Sequence, residues 1–324
     1  MFLSHTIVFL ILLLLALVYH RLALKFNIVD KPNHRSSHVH TTVRGGGILF
    51  PVAVIFWWMA YDFDHTWMVL GIVWIASISL LDDIYTLSSK IRFGIQVLAM
   101  TMAFHDLDVF SQVHWAAIPI LYFITLGIIN AINFMDGING ITGVYGIVFL
   151  GSILAINVYM GIFDKNLIRY EILALCVFLL FNFRKKALMF AGDIGSIALA
   201  YLMIYFLLDW YLVSGSWTVV LFFLVYGADV VLTMAERIKK REKLSDPHRS
   251  HLYQVLANQG KIPHVNIAIA YSVLQLALNF VFFIYPKSTP STKEGLAIIL
   301  VYGTLYLLFK FFFLKKYAKA QGDA

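Results

Sequence analysis

The chain has 324 residues, of which 60% are hydrophobic, 16% aromatic and only 13% charged, and its formal net charge is +7. A soluble domain is about 45–50% apolar and about 25% charged. The polar residues are too few to cover a water-soluble core of this size, which excludes a soluble globular fold. The single cysteine, Cys176, excludes an intrachain disulfide and a zinc cluster of cysteines.

Eleven hydrophobic segments are predicted to cross a membrane as α-helices, because they approach the roughly 20 residues that a bilayer core requires and lack strand alternation. The first lacks a basic start and a small-residue cleavage site, so we predict a retained span and not a signal peptide. The fold class is therefore all-α, a polytopic integral membrane protein with one domain over residues 1–324. The spans lie near 2–22, 45–61, 66–82, 91–106, 115–132, 140–160, 168–183, 192–210, 216–236, 264–285 and 295–314.

Lysine and arginine are distributed asymmetrically between the gaps that separate these spans. With the N-terminus outside, 21 of the 25 basic residues lie in cytoplasmic gaps or in the C-terminal tail. The positive-inside rule therefore predicts an outside N-terminus and a cytoplasmic C-terminus. The basic residues would face anionic lipid headgroups, which explains the net charge without a nucleic acid partner.

Clusters of polar residues occupy alternate gaps, and alternate gaps face the same side of a membrane. We therefore expect residues spread over more than 200 positions to converge on one cytoplasmic active site. The clusters are Lys31–Arg44, Asp82 with Asp83, Asn133–Asn139, Asp193 and His248–His251.

Carboxylates recur in three of these clusters. Asp82 and Asp83 end the third span, where two adjacent carboxylates suit a general base or a Mg²⁺ site. Asp136 lies among polar residues spaced three or four apart, which on a helix would share one face. Asp193 begins the eighth span, where it would either cap that helix or bind Mg²⁺ with help from substrate phosphates. Its position on the shared face favours the metal.

Basic and glycine-rich segments complete the predicted site. The stretch from Lys31 to Gly47 carries Arg44 and ends in three glycines, whose backbone amides would suit an anion. His34, His38 and His40 in this stretch resemble a metal tract, but no matching ligands occur elsewhere. In the last cytoplasmic gap, the guanidinium group of Arg249 could bind a phosphate through two hydrogen bonds. His251 could donate a proton to the phosphate or accept one from it. Together these are the parts of a phosphoryl-transfer site.

The motifs, taken together and in this order, resemble the polyprenyl-phosphate N-acetylhexosamine-1-phosphate transferase family of glycosyltransferases, over about residues 24 to 260. They are Leu-Asp-Asp followed by Lys90, Asn-Phe-Met-Asp-Gly-Ile-Asn-Gly, Phe-Ala-Gly-Asp-Ile-Gly-Ser and Arg-Ser-His-Leu. The resemblance implies transfer of a sugar-1-phosphate from a UDP-sugar to undecaprenyl phosphate with release of UMP. It also implies a bacterial inner membrane location with the active site facing the cytoplasm. It is compatible with either a monomer or a homodimer.

The resemblance assigns roles to twelve residues. It implies that Asp193 binds Mg²⁺, with Mn²⁺ as an alternative, that Asp82 or Asp83 acts on the lipid phosphate, and that Asp136 and His251 also belong to the catalytic group. The residues implied to bind substrate are Asn133 and Arg249 near the phosphates, Asn139, Asn182 and Phe190 near uracil, and the basic residues Lys90 and Arg44.

Departures from the family pattern concern the sugar. The hexosamine branch has His-x-His-His in the last loop, whereas Tyr253 and Gln254 replace its latter two histidines here. The chain looks most like the short subgroup that initiates O-antigen and accepts UDP-N-acetylated 6-deoxyhexosamines. Two other functions would require different sequence features. An ion-coupled transporter would show inverted repeats and a site near the midplane, and a CDP-alcohol transferase would need further aspartates beyond Asp136.

Overall fold

The computed structural model describes residues 2–31, 41–243 and 248–322. Within these ranges the chain forms thirteen α-helices and a two-stranded antiparallel sheet. The strands are β1 (Val29–Asp30) and β2 (Thr42–Val43). The helices are α1 (Phe2–Lys25), α2 (Leu49–Ala60), α3 (Thr66–Tyr85), α4 (Ser89–Asp106), α5 (Val109–Gln112), α6 (Ile118–Met135), α7 (Ile141–Met160), α8 (Lys165–Asn182), α9 (Gly192–Ser214), α10 (Leu224–Lys239), α11 (Leu252–Asn258), α12 (His264–Asn279) and α13 (Thr292–Gly322).

The all-α polytopic prediction agrees with this structure. Each of the eleven predicted spans coincides with a helix, and eight helical segments in the described part of the chain are long and apolar enough to cross a membrane. The other three are α2, which has only 12 residues, and α4 and α8, which each carry three charged residues in 18. Those charges lie mainly in the first two turns, at the end of each helix.

Helix α9 forms the centre of the bundle, packed against α2, α3, α6 and α7. Seventeen of its 23 residues are buried. A helix that is apolar on every face is expected where neighbours surround it, and its mixture of small and large side chains fits that position. Because α9 touches so many elements, its N-terminal end is a natural meeting point for their polar ends.

The glycine turn after β2 fits against the first turn of α9. Gly46 N donates to Phe190 O at 2.8 Å and Gly47 N donates to Ala191 O at 3.0 Å. A Cβ atom on Gly47 would lie 2.2 Å from the Cα of Gly195, so only glycine permits this approach. The prediction that these amides bind an anion is therefore wrong for Gly46 and Gly47, since protein carbonyls already accept both hydrogen bonds.

The polar clusters that the structure describes meet at one end of the bundle. Helices α3 and α6 end there, whereas α2, α4 and α9 begin there. The predicted histidine tract, His34, His38 and His40, lies outside the described residues.

Candidate active site

Asp83 holds the N-terminal end of α9. Its carboxylate accepts hydrogen bonds from Asp193 N at 3.0 Å and from Ile194 N at 3.2 Å. The first amides of a helix have no partner within the helix and carry the positive end of its dipole, so a carboxylate is well suited there. The alternative that Asp193 caps this helix is wrong, because Ala191 is the N-cap and Asp83 is the acceptor.

Two arginines connect three carboxylates at this end of α9. Arg44 Nε lies 2.7 Å from Asp83 Oδ1, and its Nη2 lies 3.5 Å from Asp193 Oδ1. Arg92 Nη1 lies 2.9 Å from Asp82 Oδ2 and 3.8 Å from Asp193 Oδ2. The structure thus brings Asp82, Asp83 and Asp193 together as the sequence predicted, with the guanidinium groups offsetting their mutual repulsion.

Asp193 is the least constrained of the three carboxylates. Its side chain keeps 16% of its surface exposed and its ion pairs with Arg44 and Arg92 are long, whereas the Asp83 side chain is fully buried. Mg²⁺ is usually held by one or two carboxylates together with substrate phosphates. Asp193 fits that role. In the described ranges no group of three or more His, Cys, Asp or Glu residues is arranged to hold a metal by itself.

The last turn of α6 carries Asn133, and Asp136 follows directly after this helix. Ser196 Oγ donates to Asn133 Oδ1 at 2.8 Å, and Thr142 Oγ1 donates to Asp136 Oδ1 at 2.6 Å. The prediction that the polar residues from 130 to 140 share one helical face is wrong beyond position 135. The helix ends at Met135, and Gly140, with φ of 85°, begins α7.

The pKa of Asp136 is raised to about 6, mainly by burial of its carboxyl group and in part by the neighbouring Asp193, while the hydrogen bond from Thr142 and the charge of Arg44 oppose the shift. A carboxyl group whose pKa is raised on folding favours the folded state below its unfolded pKa near 3.8. That contribution is lost as the pH rises through about 6. Ionised Asp136 therefore destabilises the substrate-free protein at neutral pH.

We expect Asp136→Asn to become progressively more stable than the parent protein between pH 4 and pH 7. The amide keeps an acceptor for Thr142 but has no charge to desolvate, and the gain above pH 6 should approach about 3 kcal/mol. Apparent unfolding midpoints in magnesium-free detergent would measure it, with Asp108→Asn, an exposed carboxylate on the opposite face, as the control. A stability difference that stays constant over this pH range would contradict the raised pKa of Asp136.

Asn139 and Asn182 brace the backbone of the same region. Asn139 Nδ2 donates to Arg184 O at 2.8 Å, and Asn182 Nδ2 donates to Met189 O at 2.8 Å. Asn182 Oδ1 also accepts from Gly140 N at 2.6 Å. Both side chains are buried. Their predicted contact with uracil remains a prediction, and the structure adds a role in holding the loops together.

His251 lies on the other side of the Asp136 segment. Its ring packs against Phe134 with centroids 6.4 Å apart, and Tyr253 OH donates to Phe134 O at 2.8 Å. Residues 248–251 are not helical, and α11 begins at Leu252. The preceding positions Asp246 and Pro247 lie outside the described residues.

The remaining predicted residues lie around this cluster. Phe190 is half-buried between β2 and α9, and Arg249 is half-buried in the last loop. Lys90 is exposed and Arg92, two residues later, pairs with Asp82 instead. Sequence reasoning missed Arg92. The signal that could have found it is the helical period, because Lys90 and Arg92 point to different sides of α4 and only one can face α3.

Comparison with known proteins confirms the resemblance that the motifs indicated. Residues 65–211 match the family model described as glycosyl transferase family 4. This region includes Asp82, Asp83, Asp136 and Asp193, and it ends within α9.

Named relatives extend the similarity over most of the chain. It is 27% identical over 310 residues to a Bacillus subtilis (strain 168) protein named "Probable undecaprenyl-phosphate N-acetylglucosaminyl 1-phosphate transferase", covering 90% of this chain and 85% of that protein. It is 26% identical over 280 residues to proteins of Escherichia coli O157:H7 and Yersinia pestis, both named "Undecaprenyl-phosphate alpha-N-acetylglucosaminyl 1-phosphate transferase". These alignments cover 78% of this chain and 75% and 76% of the two proteins.

Proposed function

We propose that the protein, which matches the glycosyl transferase family 4 model over residues 65–211, transfers a sugar-1-phosphate from a UDP-N-acetyl-sugar to undecaprenyl phosphate and releases UMP. The observation that carries the proposal is the junction at the start of α9, where Arg44 and Arg92 hold three carboxylates at a surface end of a membrane bundle. The matched region contains all three carboxylates.

In the proposed reaction, an oxygen of the lipid phosphate attacks the β-phosphorus of the UDP-sugar. The bond from that phosphorus to the bridging oxygen breaks, and UMP leaves with the electron pair. Mg²⁺ bound at Asp193 would neutralise charge that develops on the phosphates. The guanidinium groups of Arg44 and Arg92 can each bind a phosphate through two hydrogen bonds. Because their ion pairs with Asp193 are long, either group can replace this carboxylate with a phosphate oxygen of the substrate.

In the proposed reaction, hydrogen bonds within the protein would hold the groups of the site in place before the substrates bind. Asp83 fixes the first turn of α9 and therefore the direction of the Asp193 side chain. Asn133, bonded to Ser196 of α9, presents its amide nitrogen near the same turn. Preorganised polar groups of this kind stabilise charge that develops in a phosphoryl-transfer transition state.

The topology proposed for this activity has eleven spans, the N-terminus outside and the active site at the cytoplasmic face of the inner membrane. We expect an impermeant thiol reagent to label Ser288→Cys in intact cells and to spare Ser245→Cys, both made in a Cys176→Ala background. Position 288 follows α12 in a gap with few basic residues, and position 245 lies in the most basic gap. The reverse labelling pattern would place the active site on the outer face.

Two observations bear on which sugar the protein transfers, and they favour different UDP-sugars. The relatives are named for N-acetylglucosamine, whereas the replacement of two loop histidines by Tyr253 and Gln254 favours an N-acetylated 6-deoxyhexosamine and initiation of O-antigen. Tyr253 is fully buried against the Asp136 segment, where its hydroxyl would lie 2.2 Å from a Cβ on Gly137. A change at this position therefore reshapes the loop beside Asp136.

Purified protein assayed for UMP with undecaprenyl phosphate, Mg²⁺ and a panel of UDP-sugars tests the proposal. The panel should include UDP-N-acetylglucosamine, UDP-N-acetylfucosamine and UDP-N-acetylquinovosamine. We expect UMP release with at least one of them, only when the lipid phosphate is present. No UMP from any sugar would refute the proposed reaction, and a preference for one sugar would identify the donor.

A further inference from the structure

We propose that Asp229, in the middle of α10, is a positioning residue that fixes the orientation and tautomer of His251, so that His251 Nε2 faces the substrate phosphates. This inference rests on the proposed function and adds a residue that the sequence motifs did not include. Asp229 is fully buried inside a segment long and apolar enough to span a membrane. A buried intramembrane carboxylate is costly and calls for a specific reason.

The Asp229 carboxylate accepts hydrogen bonds from its own helix, where Thr233 Oγ1 lies 3.4 Å away, and from three other helices. Tyr271 OH of α12 donates at 2.6 Å and Tyr306 OH of α13 donates at 2.9 Å. The backbone amides of Leu252 and Tyr253 donate at 2.9 and 3.3 Å. Asp229 therefore caps the start of α11 and connects it to two other helices, and each carboxylate oxygen accepts more than one hydrogen bond.

This crowding of donors determines the role of His251. A carboxylate that accepts from two tyrosines and two amides can act only as an acceptor, so the His251 Nδ1 atom 3.3 Å away must carry the hydrogen. In neutral imidazole, the other ring nitrogen is then the acceptor. The carboxylate thus selects the Nδ1–H tautomer and leaves Nε2 with a lone pair.

The Nε2 atom of His251 is buried and has no hydrogen-bond partner among the described residues. The histidine keeps only 2% of its surface exposed, and leaving a buried polar atom unpaired costs about 1–3 kcal/mol. Its ring lies against Phe134, two residues before Asp136. An oriented ring with an unsatisfied nitrogen, packed against the segment that leads to Asp136, is suited to bind a phosphate oxygen or to exchange a proton with it.

A double-mutant cycle separates positioning from general stabilisation. We expect Asp229→Asn to lower kcat for UMP release by about 100-fold, the lower range for loss of an oriented acid–base group, with little change in the KM for the UDP-sugar. In a His251→Gln background, the same substitution should lower kcat by less than about threefold, because the group that it positions is already absent. Equal losses in both backgrounds would show that Asp229 is only structural.

The matched control is Glu171→Gln. Glu171 is also a buried carboxyl group in the membrane, and neither of its oxygens has a hydrogen-bond partner among the described residues. It lies on α8, away from α10 and α11. We expect this variant to keep nearly full activity, and a 100-fold loss there would mean that any change to a buried acid disrupts the enzyme.

A measurement that needs no activity covers the case in which Asp229→Asn does not fold or the proposed reaction is wrong. Nitrogen-15 NMR of histidine-labelled protein at alkaline pH reports which ring nitrogen carries the hydrogen, and the His251→Gln spectrum assigns the signal. We expect hydrogen on Nδ1 of His251. Hydrogen on Nε2 would overturn the inference, whereas absence of UMP release with the Nδ1–H tautomer present would count against the reaction only.

Discussion

Replacing Asp193 with Asn should reduce UMP release by roughly a thousandfold while leaving folded protein in the membrane. The loss corresponds to about 4 kcal/mol of transition-state stabilisation, in the range expected when charge neutralisation by a metal is removed. Stability should not fall, because the ion pairs of Asp193 with Arg44 and Arg92 are 3.5 and 3.8 Å long and its carboxylate lies beside the like charges of Asp82 and Asp83. An activity loss without a stability loss is what distinguishes a ligand from a structural group.

The control for this variant is Asp209→Asn, which changes a half-buried acid at the opposite end of the same helix. Activity and detergent-solubilised unfolding midpoints should be measured for both variants across a range of Mg²⁺ concentrations. Near-normal turnover of Asp193→Asn at all magnesium concentrations would contradict the assignment of this carboxylate to the metal.

Replacing Asp83 with Asn should lower both activity and stability. An amide has one acceptor oxygen, so it cannot serve Asp193 N, Ile194 N and Arg44 Nε together, and its NH₂ group would face other donors. Breaking a buried ion pair costs about 3–5 kcal/mol, and the cost here should be about 2–3 kcal/mol because Arg44 keeps 36% of its side chain exposed. Because the first turn of α9 would shift, UMP release should fall by a similar factor to that in Asp193→Asn.

Asp82→Asn provides the comparison for Asp83→Asn. Asp82, at the end of α3, accepts from Leu87 N and from Arg92 of α4, whereas the first amides of α9 donate to Asp83. We expect it to be clearly more stable than Asp83→Asn. The unfolding midpoints of the two variants, measured without substrate, test this difference in stability. Equal stability of the two variants would mean that the α9 cap contributes little and that the geometry of the Asp193 turn has another source.

The helical architecture was predictable because it follows from burial in lipid. A run of apolar residues must satisfy its backbone internally, and this requirement depends only on composition and length. The helices α4 and α8 show where composition alone fails to identify a membrane-spanning helix, because each contains charged residues. In α8, Lys165 and Arg169 lie in the first turns, and most of the following residues are apolar. Their position at the helix end, and not their number, permits a helix in the bundle.

Parts of the site depended on contacts that spacing does not encode. The convergence of Asp82, Asp83 and Asp193 follows from the alternation of gaps, but the pairing of Arg92 with Asp82 depends on how α4 is rotated against α3. The sequence likewise gave no reason to expect that Asn139 and Asn182 would use their amide groups to hold neighbouring backbone. Such roles are set by tertiary packing.

Asp229 was missed although a signal was present. Apart from Glu236 near the helix end, it is the one carboxylate of α10, and an acid surrounded by apolar residues in a span is a functional candidate by its cost alone. Its partners Tyr271 and Tyr306 are 42 and 77 residues away in sequence, which no local pattern reveals.

The most direct test of the proposed reaction follows the β-phosphorus of the sugar donor. Purified protein should be incubated with Mg²⁺, undecaprenyl phosphate and a UDP-sugar labelled with ³²P at the β-position, and the lipid and aqueous products separated. Transfer of sugar-1-phosphate predicts that the label enters the lipid fraction and that unlabelled UMP remains in water. Label that stays in the aqueous phase as UDP would show that only the sugar moves, and label that stays in intact UDP-sugar would show that no transfer occurs.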